Sequence, residues 1–163
     1  KLSLNFIYVS ISIALLTTVF LYPKTTIEKN SFEYRQRLMN FSLETIKANP
    51  LFGVGANAFI VKLSQNENVW QLLSFLQPAH NIFLLIGSES GLIGLTIFAV
   101  FLVVSFQKSL STSYHLSPIT FALLAIIFTG LFDHYWLTLI QNQLLFTVVL
   151  GLAWGRTDDR IGL

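Results

Sequence analysis

The 163 residues are 53% hydrophobic and 11% charged, with a mean hydropathy of +0.65. Soluble domains carry about 25% charged residues, so an ordinary soluble globule is excluded, and a net charge of +2 gives no footing for a nucleic-acid partner. With no cysteine, disulfides and thiolate metal sites are excluded, and the redox compartment leaves no trace.

A bilayer span needs about 20 largely apolar residues, and four stretches meet that need. Residues 4–22 form the first, made somewhat polar by Ser10, Ser12, Thr17 and Thr18. It is too long for a typical signal-peptide core and lacks a small-residue cleavage site, so it reads as a true span. The chain starts at Lys1 rather than Met, and we expect it to be a fragment. Residues 23–80 form a long polar loop. Asn30 with Glu33 three positions on is a capping-box pattern. Met39, Leu43 and Ile46 then recur at helical spacing. Asn49-Pro50 should end that helix, because the residue before proline avoids the helical region. Leu51-Phe52-Gly53-Val54-Gly55 reads as a tight turn, and the rest of the loop as short helix and coil.

The clearest span is 82–106, interrupted only by Glu89. Residues 114–132 form a third, with Tyr114 and Trp136 placed as interfacial aromatics. Residues 137–154 form the fourth. The expected fold is all-α: a single polytopic membrane domain with four helical spans and one large loop that contains a short helix. Charge leaves the orientation open. The long loop holds Lys24, Lys29, Arg35, Arg37, Lys47 and Lys62, but long loops translocate largely regardless of charge.

His80-Asn81 stands where this loop enters the second span, a titratable side chain at the membrane surface. On an unbroken helix, Gly87, Gly91 and Gly94 would lie within about 40° of His80, making a stripe for close helix or lipid approach. A helix-start histidine over packing glycines is the plainer alternative. Glu89 would sit roughly 10 Å into the span, where a carboxylate is either functional or a hydrogen-bonded packing residue. Arg35 and Arg37 lie about 200° apart on the loop helix, so only one should face a given site. An arginine fork suits phosphate, although a solvated loop arginine looks the same in sequence. Asp133-His134 forms the turn between the third and fourth spans, on the same side as the long loop. Arg35, His80, Asp133 and His134 are therefore candidates for one surface. Two motifs are set aside. Gly53-Val54-Gly55-Ala56-Asn57-Ala58 resembles a dinucleotide fingerprint without a preceding strand. His80, His115 and His134 lack zinc spacing, and His115 falls on the other side.

Three blocks resemble the O-antigen ligase and polymerase-like membrane proteins. One is Arg35 followed by Pro50-Leu51-Phe52-Gly53-Val54-Gly55. The second, and the most specific, is Pro78-Ala79-His80-Asn81, nine residues, then Gly91-Leu92-Ile93-Gly94. The third is Phe132-Asp133-His134-Tyr135 before the last span. Together they cover roughly residues 32–155. Met39 stands where family members usually carry Leu or Trp, and the upstream spans and a further arginine of the family do not occur in this stretch.

The resemblance implies a bacterial inner-membrane protein with the long loop extracytoplasmic. It implies transfer of a glycan from undecaprenyl diphosphate to an acceptor hydroxyl on a glycan, lipid or protein, without metal or other cofactor. In that reading His80 and Arg35 are catalytic, and Arg37, Asn81, Glu89, Asp133 and His134 contact or support substrate. This stretch alone is expected to be inactive. A polymerase that extends the lipid-linked chain fits the same residues. A transporter or scaffold relying on Glu89 and the glycines is the non-enzymatic alternative.

Overall fold

The computed structural model describes residues 26–66, 76–110 and 118–155. The chain divides into two compact units, Lys1–Glu33 and Tyr34–Leu163, and the packing described below lies within the second. Every described element is helical: α1 (Thr26–Ala48), α2 (Phe59–Ser64), α3 (Ile82–Leu110), α4 (Pro118–Gly130), α5 (Tyr135–Thr138) and α6 (Ile140–Gly155).

α1 ends where the proline requires, and the Asn49 backbone N–H closes its last turn on the Thr45 carbonyl at 3.0 Å. Its start differs from expectation. The helix already runs from Thr26, so Asn30 and Glu33 lie inside it rather than at its start. The local pattern was met, but upstream residues continue the helix through it. α1 buries Leu38 and Phe41 against Phe59, Leu63, Ala79 and Leu85. Phe41 and Phe59 meet edge to face with ring centroids 5.6 Å apart, a favoured aromatic geometry.

α3 has 29 residues, and an 18-residue stretch of it reaches a mean hydropathy of 2.0, long and apolar enough to cross a membrane. It is not one continuous helix. Gly91 has φ 67° and ψ −169°, outside the helical region, and divides α3 into residues 82–90 and 92–110. An unbroken helix would bond the Leu92 and Ile93 N–H groups to the Ser88 and Glu89 carbonyls. The Pro50–Gly55 loop takes over both bonds instead. Leu92 and Ile93 donate to the Pro50 and Leu51 carbonyls at 2.7 and 3.4 Å, while Val54 and Gly55 donate to the Ser88 and Glu89 carbonyls at 2.9 Å each. Backbone groups freed inside an apolar helix need other partners, and this loop supplies them bond for bond.

Two glycines make the splice possible. Gly53 and Gly91 both have positive φ, and a Cβ on either would overlap backbone of the opposite strand of chain. The expected glycine stripe beneath His80 is thereby corrected. Gly91 is a break filled by the loop, and Gly87 packs on Ile46 of α1.

Beyond the break, α3 packs with α4 and α6 around Leu102, Leu123, Ile126, Phe146, Val149 and Ala153. Few polar atoms enter this bundle, and those that do join helices, as hydroxyls do in apolar surroundings. Thr120 Oγ1 donates to the Ser109 carbonyl at 3.2 Å, and Trp154 Nε1 to Ser105 Oγ at 2.9 Å. Outward residues stay apolar, including Ile97, Phe128, Ile140 and Leu144, each more than 60% exposed. That is the surface a membrane helix offers to lipid or to further helices. α4 and α6 are apolar but shorter than α3. Residues 4–22, expected as the first span, lie outside the described residues. The fourth expected span is interrupted at its start: Leu139 is extended between α5 and α6.

Candidate functional site

The N-terminus of α3 carries the site. Asn81 caps it: its Oδ1 accepts from the Phe83 and Leu84 backbone N–H groups at 2.8 and 3.0 Å. Those are two of the orphan donors that begin every helix. The other end of the same side chain donates from Nδ2 to the Leu131 carbonyl at 3.0 Å. Asn81 thus fastens the start of α3 to the end of α4. The approach is close because Gly130 lies directly under the Ile82 side chain, in space that a Cβ would need.

This contact brings the α4–α5 turn against His80. His80 Nδ1 lies 3.3 Å from Asp133 Oδ1. The same carboxylate oxygen accepts from the His134 backbone N–H at 2.7 Å. The His134 ring stands beside His80, with centroids 5.1 Å apart, and its Nε2 is 3.9 Å from Asp133 Oδ1. On the other side of the ring, His134 Nδ1 meets Thr138 Oγ1 at 2.8 Å, while that hydroxyl donates to the His134 carbonyl at 3.2 Å. The Thr138 hydroxyl therefore engages Nδ1 and leaves Nε2 as the ring nitrogen that faces Asp133. His134 is 6% exposed, and its Nε2 has no hydrogen-bond partner among the described residues.

Arg35 completes the cluster from α1. Its Nη1 donates to the Phe132 carbonyl at 3.0 Å, beside Asp133, and the side chain remains exposed. Burial, then the Arg35 charge, holds His80 below the ordinary histidine range against the pull of Asp133. His134 is lowered too, by burial first, with Asp133 opposing and His80 and Arg35 adding. Both imidazoles therefore favour the neutral form, the form that accepts a proton.

Of the residues singled out in the sequence, the structure brings together Arg35, His80, Asn81, Asp133 and His134. Arg37 is exposed and forms no polar contact with described residues. Glu89 turns elsewhere: its Oε1 accepts from the Phe59 backbone N–H at 3.3 Å, tying α3 to the start of α2. It braces the spliced loop. Two contributors went unnoticed, Gly130 and Thr138. Neither has a local signature, because each acts only through a side chain packed or bonded to it. Of the three histidines that lack zinc spacing, His115 lies outside the described residues, and the structure groups His80 and His134 with Asp133, one ligand-capable atom from each lying within 4.8 Å of the others.

The chemistry open to this cluster is narrow. His80, backed by a carboxylate at Nδ1, can take a proton at Nε2. An exposed arginine beside it can neutralise an anionic leaving group. Two of these residues, Arg35 and His80, fall within a family match, since the O-antigen ligase family model matches residues 2–99. The chain belongs to the O-antigen ligase family. No curated protein matches it. Membership associates this O-antigen ligase-like chain with bacterial integral membrane proteins of polysaccharide and lipopolysaccharide assembly, and with ligase or polymerase activity of the glycosyltransferase kind. The match includes Arg35, the spliced loop, His80 and Gly91. Asp133 and His134 lie beyond it.

Proposed function

We propose that the chain carries the acceptor-activating and diphosphate-binding residues of a lipid-linked glycan transferase. It would move a glycan from undecaprenyl diphosphate to an acceptor hydroxyl on a glycan, lipid or protein. The observation that carries this reading is the His80–Asp133 contact with Arg35 at the same turn.

In the reaction, His80 Nε2 takes the proton of the acceptor hydroxyl as its oxygen attacks the anomeric carbon. Asp133 holds the ring by Nδ1 and stabilises the imidazolium that forms. The bond from the anomeric carbon to the diphosphate oxygen breaks, and the electron pair leaves on the diphosphate. Arg35 meets that growing negative charge with a planar, permanently charged fork. The prenyl chain stays in lipid while the sugars occupy the extracytoplasmic side. Attack opposite the leaving group inverts the anomeric centre. No step draws on a metal or another cofactor. The topology that goes with it has four spans in the bacterial inner membrane, with residues 23–80 and the Asp133 turn on the outer side.

The test is glycan transfer by purified full-length protein given undecaprenyl-diphosphate glycan and candidate acceptors. General-base removal costs about 10²–10⁴-fold, so His80→Ala should lower transfer by that factor with the melting temperature unchanged. Equal transfer by wild type and His80→Ala would overturn the reading. The labelled product also separates the family's two activities: a glycan on a new acceptor marks a ligase, and a longer lipid-linked chain a polymerase.

A further inference from the structure

The buried Nε2 of His134 is the most unusual atom in the cluster. It lies 3.9 Å from a carboxylate oxygen, beyond hydrogen-bond reach, and has no partner among the described residues. Leaving a buried polar atom unpaired costs about 1–3 kcal/mol. A cation shared by the nitrogen and the oxygen would satisfy both. His80 Nδ1 addresses the same carboxylate oxygen at 3.3 Å, with its ring beside that of His134.

We propose that His80, Asp133 and His134 form a binding site for a divalent first-row transition-metal ion, with zinc as its probe. The donor set argues for that class. Two imidazole nitrogens and one carboxylate oxygen are the ligands of three-residue zinc sites that keep an open position. Calcium and magnesium prefer oxygen ligands, which this cluster supplies only at Asp133. Thr138 plays the outer-partner role expected at such a site, since it holds Nδ1 and leaves Nε2 to ligate. The required movement is small, as the ligand-capable atoms already lie within 4.8 Å of one another. Arg35 anchors on the Phe132 carbonyl rather than on the carboxylate, which leaves Asp133 free to ligate. Resting on the transferase reading, occupancy of this site would inhibit transfer by capturing the base His80.

The experiment uses purified full-length protein in detergent at neutral pH. Zinc binding is measured by calorimetry, and cobalt substitution by its visible absorption. One ion per chain is expected. His134→Ala and Asp133→Asn should each weaken binding at least tenfold, and Thr138→Val about 10–100-fold. His115→Ala should bind as wild type does. Metal-free melting curves check the folding of each variant, and His134→Gln serves if His134→Ala is unstable. No stoichiometric binding, or equal binding by wild type and both His134 variants, overturns the proposal. Transfer is assayed separately with and without zinc and chelator. Zinc binding without loss of transfer would refute only the inhibitory role of the site, whereas a transfer-competent His80→Ala would refute the transferase reading and leave the metal site standing.

Discussion

The splice at Gly91 and the cluster at His80 lie on one segment of chain, yet they are made of different parts. The splice is main chain to main chain: four backbone bonds replace two interrupted ones, three of them between 2.7 and 2.9 Å. The cluster is side chain to side chain, with longer contacts of 3.3 and 3.9 Å around one carboxylate and an imidazole nitrogen left unpaired. A fully satisfied backbone joint has little left to offer a ligand. A cluster with spare valence is stabilised by whatever completes it. The comparison assigns positioning to the first region and chemistry to the second. Substitutions should therefore separate them: splice variants lose the fold, and cluster variants lose transfer while folded.

The largest effect expected on stability is at the splice. Gly91→Ala and Gly53→Ala each place a Cβ into opposing backbone at a positive φ. Strain and overlap together should cost on the order of 3 kcal/mol. Thermal unfolding in detergent checks this, with Gly151→Ala as the reference because nothing lies within 4 Å of its added Cβ. If Gly91→Ala melts like Gly151→Ala, the loop does not carry the break and the comparison fails.

A middle-sized effect is expected at Glu89. An intramembrane carboxylate suggests a substrate contact from sequence alone, whereas here it supports the Phe59 N–H. Glu89→Ala orphans that part-buried donor and should destabilise by about 1–3 kcal/mol. Glu89→Gln retains an acceptor oxygen and should behave close to wild type in both melting and transfer. Loss of transfer in a well-folded Glu89→Gln would move Glu89 from the positioning side of the comparison to the chemical side.

These cases show which parts of the structure could be read from the chain. The end of α1 was legible because a proline acts on its immediate neighbour. The apolar character of the second span was legible because Glu89 and Lys108 are the sole charged residues in Ile82–Leu110. Arg35, His80, Asp133 and His134 were expected on one surface by counting crossings, and the structure groups them. Their contacts were not, since His80 and Asp133 meet across 53 residues of chain through a glycine that admits Ile82. The break in α3 was hidden for a different reason. A glycine that packs helices and a glycine that interrupts one are the same letter, and only the loop's free N–H groups distinguish them.

The smallest effect expected is at Asn81, which belongs to both regions. Its Oδ1 caps α3 as backbone support, and its Nδ2 holds the Leu131 carbonyl next to the Asp133 turn. Removing an N-cap costs about 1 kcal/mol, so Asn81→Ala should lower stability by roughly that amount. The two halves of the side chain can be tested apart. Asn81→Asp keeps an acceptor for Phe83 and Leu84 but cannot donate to Leu131, and a carboxylate is favoured at a helix N-terminus. Its melting temperature should match or exceed wild type. If its transfer rate nevertheless falls, the Leu131 bond aligns the turn for His80. If the rate is unchanged, Gly130 packing under Ile82 holds the turn by itself, and Asn81 belongs wholly to the positioning region.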